Sequence, residues 1–153
     1  MNKYFLLFGL LIIGFSSCKK SSNFNASAQA AADDVKIQSY IAANNITATK
    51  DPSGLYYQVL TPGSGASPAA TAKVTVNYTG KLLNGSVFDA GTLTASPLAG
   101  LIQGWQIGIP YSKVGGRILL IIPSGLGYGN NISGSIPANS VLVFTIDLLG
   151  FTN

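Results

Sequence analysis

The chain of 153 residues contains no histidine and a single cysteine, Cys18. Without histidine there is no Ser-His-Asp triad, no Cys-His pair and no Cys/His zinc site, and one cysteine cannot close an intrachain disulfide. Acids are equally scarce: Asp33, Asp34, Asp51, Asp89 and Asp147 are the whole set. Asp33 and Asp34 are neighbours on what reads as an exposed helix, so no carboxylate pair is placed for glycosidase-type acid/base work. No Gly-Lys-Ser/Thr phosphate loop occurs. Charged residues make up only 9% of the chain, and the net charge is +4. Of the nine basic residues, only Lys19-Lys20 are adjacent, and the others (among them Lys36, Lys50, Lys73, Lys81, Lys113 and Arg117) are scattered, which argues against a nucleic-acid surface. Any catalysis here has to proceed without a strong base, a metal, a cofactor or an obvious nucleophile.

What the chain has in quantity is apolar residues (47%) and glycine (18 residues), the composition of one compact, turn-rich β domain. Residues 1–17 read as a secretion signal. Lys3 supplies the positive start, and Tyr4 to Phe15 form an apolar run shorter than the roughly 20 residues needed to span a bilayer. Ser16-Ser17 then stand directly before Cys18, the arrangement of a bacterial lipoprotein signal in which that cysteine is acylated. The alternative is a simple cleaved signal with a spare cysteine. Residues 18–27 read as a polar tether and 28–50 as a helical extension. A partial apolar stripe at Ile37, Tyr40 and Ile41 lies behind Asp33 and Asp34, which suit a first turn. That helix could pack on the main domain, pair with a second copy or act as a spacer; packing is the expectation, and the oligomeric state stays open.

Residues 51–153 form the main domain. Leu55–Leu60 reads as its first strand. Val74, Val76 and Tyr78 alternate with polar residues as in a strand with one buried face. Asn84-Gly85 predicts a tight type I′ turn, because both of its central positions need positive φ. The returning strand carries Phe88 and Asp89, after which Ala90–Pro97 reads as irregular. Leu98–Ile109 is the other plausible helix, with Ile102, Trp105 and Ile109 on one face and Pro110 ending it. Arg117–Ile122 and Val141–Leu149 are strands, separated by a long loop over Ser124–Ser140. The economical architecture is α+β, an antiparallel sheet curved around one short helix.

The order Val76-x-Tyr78-Thr79-Gly80, Phe88-Asp89, Leu101-Ile102-x-Gly104-Trp105, Gly115-Gly116-Arg117, Gly127-Tyr128-Gly129, Ile136-Pro137, Leu142-Val143-Phe144 resembles the FKBP-type peptidyl-prolyl cis-trans isomerases. The resemblance covers about residues 54–150. It implies a five- to six-stranded antiparallel half-barrel wrapped around one short helix. Tyr78, Phe88, Asp89, Leu101, Ile102, Trp105, Tyr128, Ile136 and Phe144 match the positions lining the family's proline pocket. Trp105 is expected as its floor and Tyr78, Phe88 and Phe144 as its walls. Leu101 and Ile102 would supply rim backbone, Ile136 N–H and the Tyr128 hydroxyl would bind substrate carbonyls, and Asp89 would orient polar groups at the mouth. One departure stands out: Thr94-Ala95-Ser96-Pro97 lacks the aromatic the family usually has there, which predicts a more open side.

The resemblance further implies an isomerase for proline-containing, unfolded exported polypeptides, with a macrolide as a second ligand class. Together with the signal it is similar to the lipid-anchored envelope form of the family, on the periplasmic side of a membrane. Two other readings remain. One is a non-catalytic module of the same fold that binds chains or a fixed partner; the other is an unrelated β-sandwich lipoprotein, against which the short helix at Trp105 speaks. Taken singly, each aromatic is also compatible with plain core packing.

Overall fold

A computed structural model describes residues 24–153; the signal at 1–17 and Cys18 lie outside the described residues. The elements are α1 (Ala26–Ala43), β1 (Thr49–Lys50), β2 (Tyr56–Thr61), β3 (Lys73–Leu82), β4 (Val87–Pro97), α2 (Gln103–Gly108), β5 (Arg117–Ile122) and β6 (Leu142–Thr152). All strands join one antiparallel sheet in the order β1-β2-β5-β6-β3-β4. This is the half-barrel around a short helix that the sequence predicts.

Strand β5 shows why its sequence, Arg117-Ile-Leu-Leu-Ile-Ile122, is apolar without alternation: both of its faces are covered. Ile118, Leu120 and Ile122 enter the main core with Val74, Val76, Trp105, Leu142, Phe144, Ile146 and Leu148 on the concave side. Leu119 and Ile121 enter a second core with Tyr56, Val143 and Ile37 of α1 on the convex side. The stripe of Ile37, Tyr40 and Ile41 therefore packs the N-terminal helix onto the back of the sheet. Asp34 braces that seat. It accepts from the Tyr56 hydroxyl at 2.8 Å and meets Lys50 Nζ at 2.6 Å, and the lysine, followed by the tyrosine, holds its carboxyl below the usual carboxylate range.

Helix α1 departs from the expectation at its start. It begins at Ala26, inside the expected tether, with Asn25 capping it by accepting from Ala28 N at 3.0 Å. The alanines at 26, 28 and 30–32 have no large apolar side chains to betray a stripe, yet alanine has the highest helix propensity. Asp33 and Asp34 consequently fall in mid-helix, and Asp33 is fully buried.

The strand and helix boundaries shift elsewhere too. Ala90–Pro97 is no irregular segment but the second half of β4, an edge strand whose outward residues are exposed. The 84–85 turn is not type I′, since only Gly85 has positive φ (87°). Gly85 N donates to Leu82 O and Leu82 N to Ser86 O, both at 2.9 Å. Asn84 instead uses its side chain, which accepts from Ser86 N at 3.0 Å. The predicted helix over 98–109 divides into a 3-10 turn at Leu98–Gly100, an extended Leu101-Ile102, and α2 proper, with Pro110 inside a closing 3-10 turn.

Candidate active site

Adjacent residues of a regular strand point to opposite faces, yet Phe88 and Asp89 both line the same cavity. The register explains this. Gly80 pairs with Asp89 and Lys81 with Val87, which leaves Phe88 as the extra residue of a β-bulge. The bulge turns Phe88 inward while Asp89, Gly91 and Leu93 keep the regular alternation. A second register shift lies between Leu93 and Ser96, where Ala95 has a φ of 47° and donates its N–H to Thr75 Oγ1 at 3.1 Å.

On the other side, Ile102 is the extended residue before α2, and Trp105 follows within the first turn, its N–H bonded to Ile102 O at 2.9 Å. Gln106 reaches back to Leu101 O at 2.7 Å and Ala99 O at 3.3 Å, fixing the rim segment. Two glycines let α2 lie this close to the sheet. A Cβ at Gly104 would fall 2.5 Å from Ile122 Cγ2, and one at Gly108 2.6 Å from Leu120 Cδ2.

The result is a cavity of about 380 Å³. Trp105 lines it, 96% buried, with Phe144 edge-on at 5.1 Å and Tyr78 edge-on at 5.2 Å. Phe88 meets Phe144 edge-on at 5.4 Å. These spacings are those of favourable quadrupole contacts, so the four rings hold one another. The Tyr78 hydroxyl donates to Asp89 Oδ2 at 2.8 Å. Burial first, and that bond second, push the Tyr78 hydroxyl pKa above its ordinary value. Arg117 does not compete for Asp89, because it forms a two-pronged pair with Asp147 at 2.6 and 2.9 Å across the sheet.

All nine residues singled out from the sequence line this cavity: Tyr78, Phe88, Asp89, Leu101, Ile102, Trp105, Tyr128, Ile136 and Phe144. The backbone donor of Ile136, however, is engaged. Its N–H donates to Ser133 O at 2.9 Å, so it is committed to a turn and not free for a substrate carbonyl. The Ile102 N–H, by contrast, has no acceptor among the described residues, and neither does the Tyr128 hydroxyl. The Trp105 indole N–H is buried and has no partner among the described residues. The sequence reading missed Leu93 and the rim at Ser133–Ser135. Residues 94–97 add nothing to the lining; Leu93 supplies an aliphatic wall there.

The family model for FKBP-type peptidyl-prolyl cis-trans isomerases matches residues 65–149. The chain belongs to that family. Within the FKBP family it is 44% identical over 110 residues to the isomerase FkpA of Buchnera aphidicola from Schizaphis graminum, covering 69% of this chain and 44% of that protein. To FkpA of Aeromonas hydrophila it is 43% identical over 122 residues, 74% of this chain and 45% of that one. The chain thus spans less than half the length of these curated relatives. The crystal structure of Escherichia coli FkpA superposes with a TM-score of 0.68 at 34% identity, over 82% of this FKBP chain and 62% of that chain. A peptidyl-prolyl isomerase from Pseudomonas syringae gives 0.68 at 27% identity, over 86% and 99%.

Proposed function

We propose that the chain is a peptidyl-prolyl cis-trans isomerase acting on unfolded, exported polypeptides in a bacterial envelope. The observation that carries this reading is the four-ring cavity with a carboxylate-held hydroxyl at its mouth. Rotating an X–Pro amide crosses a barrier of about 18–20 kcal/mol set by resonance. A planar amide in water is resonance-stabilised and strongly solvated; the twisted amide has lost the conjugation and part of the polarity. A dry aromatic cavity therefore favours the twisted form over the planar one, which is catalysis by differential binding. A thousandfold acceleration requires only about 4 kcal/mol. No proton moves, so the absence of histidine is no obstacle.

The geometry supports the following assignment of roles. Trp105 is the floor under the pyrrolidine ring, and Tyr78, Phe88 and Phe144 are the walls. The Tyr128 hydroxyl and the Ile102 N–H are the free donors for substrate carbonyls, while Leu101 and the Ile136 side chain shape the entrance. Asp89 fixes the Tyr78 hydroxyl. The same cavity would accept a macrolide, with Leu93 replacing an aromatic contact.

Residues 1–17 are read as a lipoprotein signal and Cys18 as the acylated N-terminus. The short segment before α1 would then tether residues 51–153 and the helix packed on them to a membrane on its periplasmic side. Labelled palmitate should enter the wild-type chain and not Cys18→Ser; equal labelling of both would remove the anchor from the proposal.

The isomerase reading is tested with the full chain and a short X-Pro peptide. Acceleration is expected, and Asp89→Val should lower kcat/KM by about tenfold or more, since a hydrogen bond to a charged group contributes about 1.5–3 kcal/mol. A folded wild-type chain that accelerates nothing but binds unfolded protein would be a non-catalytic module instead.

The pH profile is a second check. Because burial, and then the bond to Asp89, raise the Tyr78 hydroxyl pKa above its ordinary value, the phenol stays neutral, and a donor, throughout the neutral range. With no histidine in the chain, kcat/KM should be flat between about pH 6 and 9. A bell-shaped profile in that range would point to proton transfer and against this mechanism.

A further inference from the structure

Asp33 is a carboxylate with no exposed surface, placed on a helix that needs only Ile37 and its neighbours to cover the back of the sheet. Burying a charge is costly unless hydrogen bonds replace its water, and here they do. Oδ2 accepts from both Ser124 N (2.8 Å) and Ser124 Oγ (2.6 Å), across 91 residues of chain. Oδ1 accepts from Gln29 Nε2 at 2.8 Å and lies 3.7 Å from Lys36 Nζ.

Ser124 opens the 3-10 turn that follows β5. Its carbonyl accepts from Gly127 N at 3.0 Å and Gly129 N at 2.8 Å, the amides on either side of Tyr128. Gly129 O in turn accepts from Asn139 N at 2.8 Å. Tyr128 itself is 37% exposed, and its hydroxyl has no hydrogen bond among the described residues; its carbonyl accepts from Asn131 N at 3.2 Å and Asn131 Nδ2 at 3.4 Å. Its place at the cavity rim is therefore set by its backbone, and the amides that flank it are both held by the carbonyl of one serine. Both donors of that serine are held by Asp33.

We propose that Asp33 is a positioning residue for Tyr128, which makes the N-terminal helix part of the support of the active site. The kinetic part of this inference rests on the isomerase reading; the structural part does not. The test uses the full chain as wild type, Asp33→Ala, Asp33→Asn and Ser124→Ala, each with and without Tyr128→Phe.

Amide hydrogen exchange is the first readout. Asp33→Ala should speed exchange at Gly127 and Gly129 by about tenfold or more, with Ile121 and Ile146 in the central strands unchanged. Asp33→Asn, which keeps one acceptor for Ser124, should restore most of the protection. Turnover is the second. Asp33→Ala should lower kcat/KM about fivefold when Tyr128 is present and by little when residue 128 is Phe, the non-additivity expected of coupled residues. Exchange that rises equally across the sheet, or losses that add, would reduce Asp33 to a general structural role and overturn the proposal. Should Asp33→Ala not fold, Ser124→Ala removes only the hydroxyl half of the clamp and is read the same way. A wild type without turnover would defeat the isomerase reading, and the exchange comparison would still decide the clamp.

Discussion

Gly80→Ala is expected to fold and to lose about a hundredfold in kcat/KM on an X-Pro peptide, the scale at which displacement by roughly 1 Å degrades a positioned site. Gly80 lies in β3, two residues beyond Tyr78, and is buried against the aromatic cluster. A Cβ there would stand 2.6 Å from Phe144 Cε1 and 2.6 Å from Phe88 Cε2 and Cζ. Carbon atoms in contact prefer about 3.5–4.0 Å, so each ring must retreat by about 1 Å. Phe144 has nowhere to go, being 96% buried and edge-on to Trp105. Phe88 is only half-buried and sits on a bulge, so it will move. The Phe88–Phe144 contact is then lost and the cavity wall with it. Gly150→Ala is the control, since nothing lies within 4 Å of a Cβ at that position. Turnover of Gly80→Ala equal to that of the control would mean that the ring positions do not matter to the reaction.

The second large effect concerns stability. Leu120→Ala should lower unfolding free energy by about 3 kcal/mol, the middle of the range for buried leucine truncations, and Tm by about 10 °C. Leu120 is fully buried on the concave face of β5, under α2 at Gly108. Glycine in a helix is itself unfavourable by about 0.5–1 kcal/mol. Two of them in the six residues of α2 imply that close seating outweighs that cost. Gly108→Ala alone should therefore destabilise by about 1–3 kcal/mol through overpacking. Combined with Leu120→Ala, which vacates the space, the loss should be clearly smaller than the sum. Denaturant unfolding of the four chains measures this. Strict additivity would show that the helix and strand are not in the tight contact described.

What was legible in the sequence were features in which one residue type has one physical use. The alternation at Val74, Val76 and Tyr78 gave the strand, and the ordered aromatics gave the cavity, because large apolar side chains leave a periodic trace. The misses share a cause, which is backbone geometry that interrupts periodicity. The bulge at Phe88 and the kink at Ala95 break the alternation of β4, so its second half looked irregular and Leu93, five residues after Phe88, showed no pattern linking it to the cavity. The extended Leu101-Ile102 is hidden in an apolar run that fits a helix equally well. The clamp at Asp33 was unreadable for another reason: its partner is 91 residues away, and an acid next to a second acid on an amphipathic stretch looks like a solvated face. The commitment of the Ile136 N–H to Ser133 likewise depends on a turn that no side-chain pattern announces.

The long outer strand has a consequence for the proposed handling of unfolded chains. The eleven-residue β4 forms one border of the sheet, with the outward-facing half of its backbone groups unpaired by the sheet, whereas the two-residue β1 forms the other. A flat, regular border of that length is a template on which an extended polypeptide could anneal and nucleate aggregation. Here the template is interrupted three times, by the extra residue at Phe88, by the left-handed Ala95 and by Pro97, which has no N–H to offer. The distortion that brings an aromatic ring into the cavity thus also breaks the border on which strands would be recruited; under the proposed function, that lets a client enter, turn over and leave without being stitched to the protein that serves it.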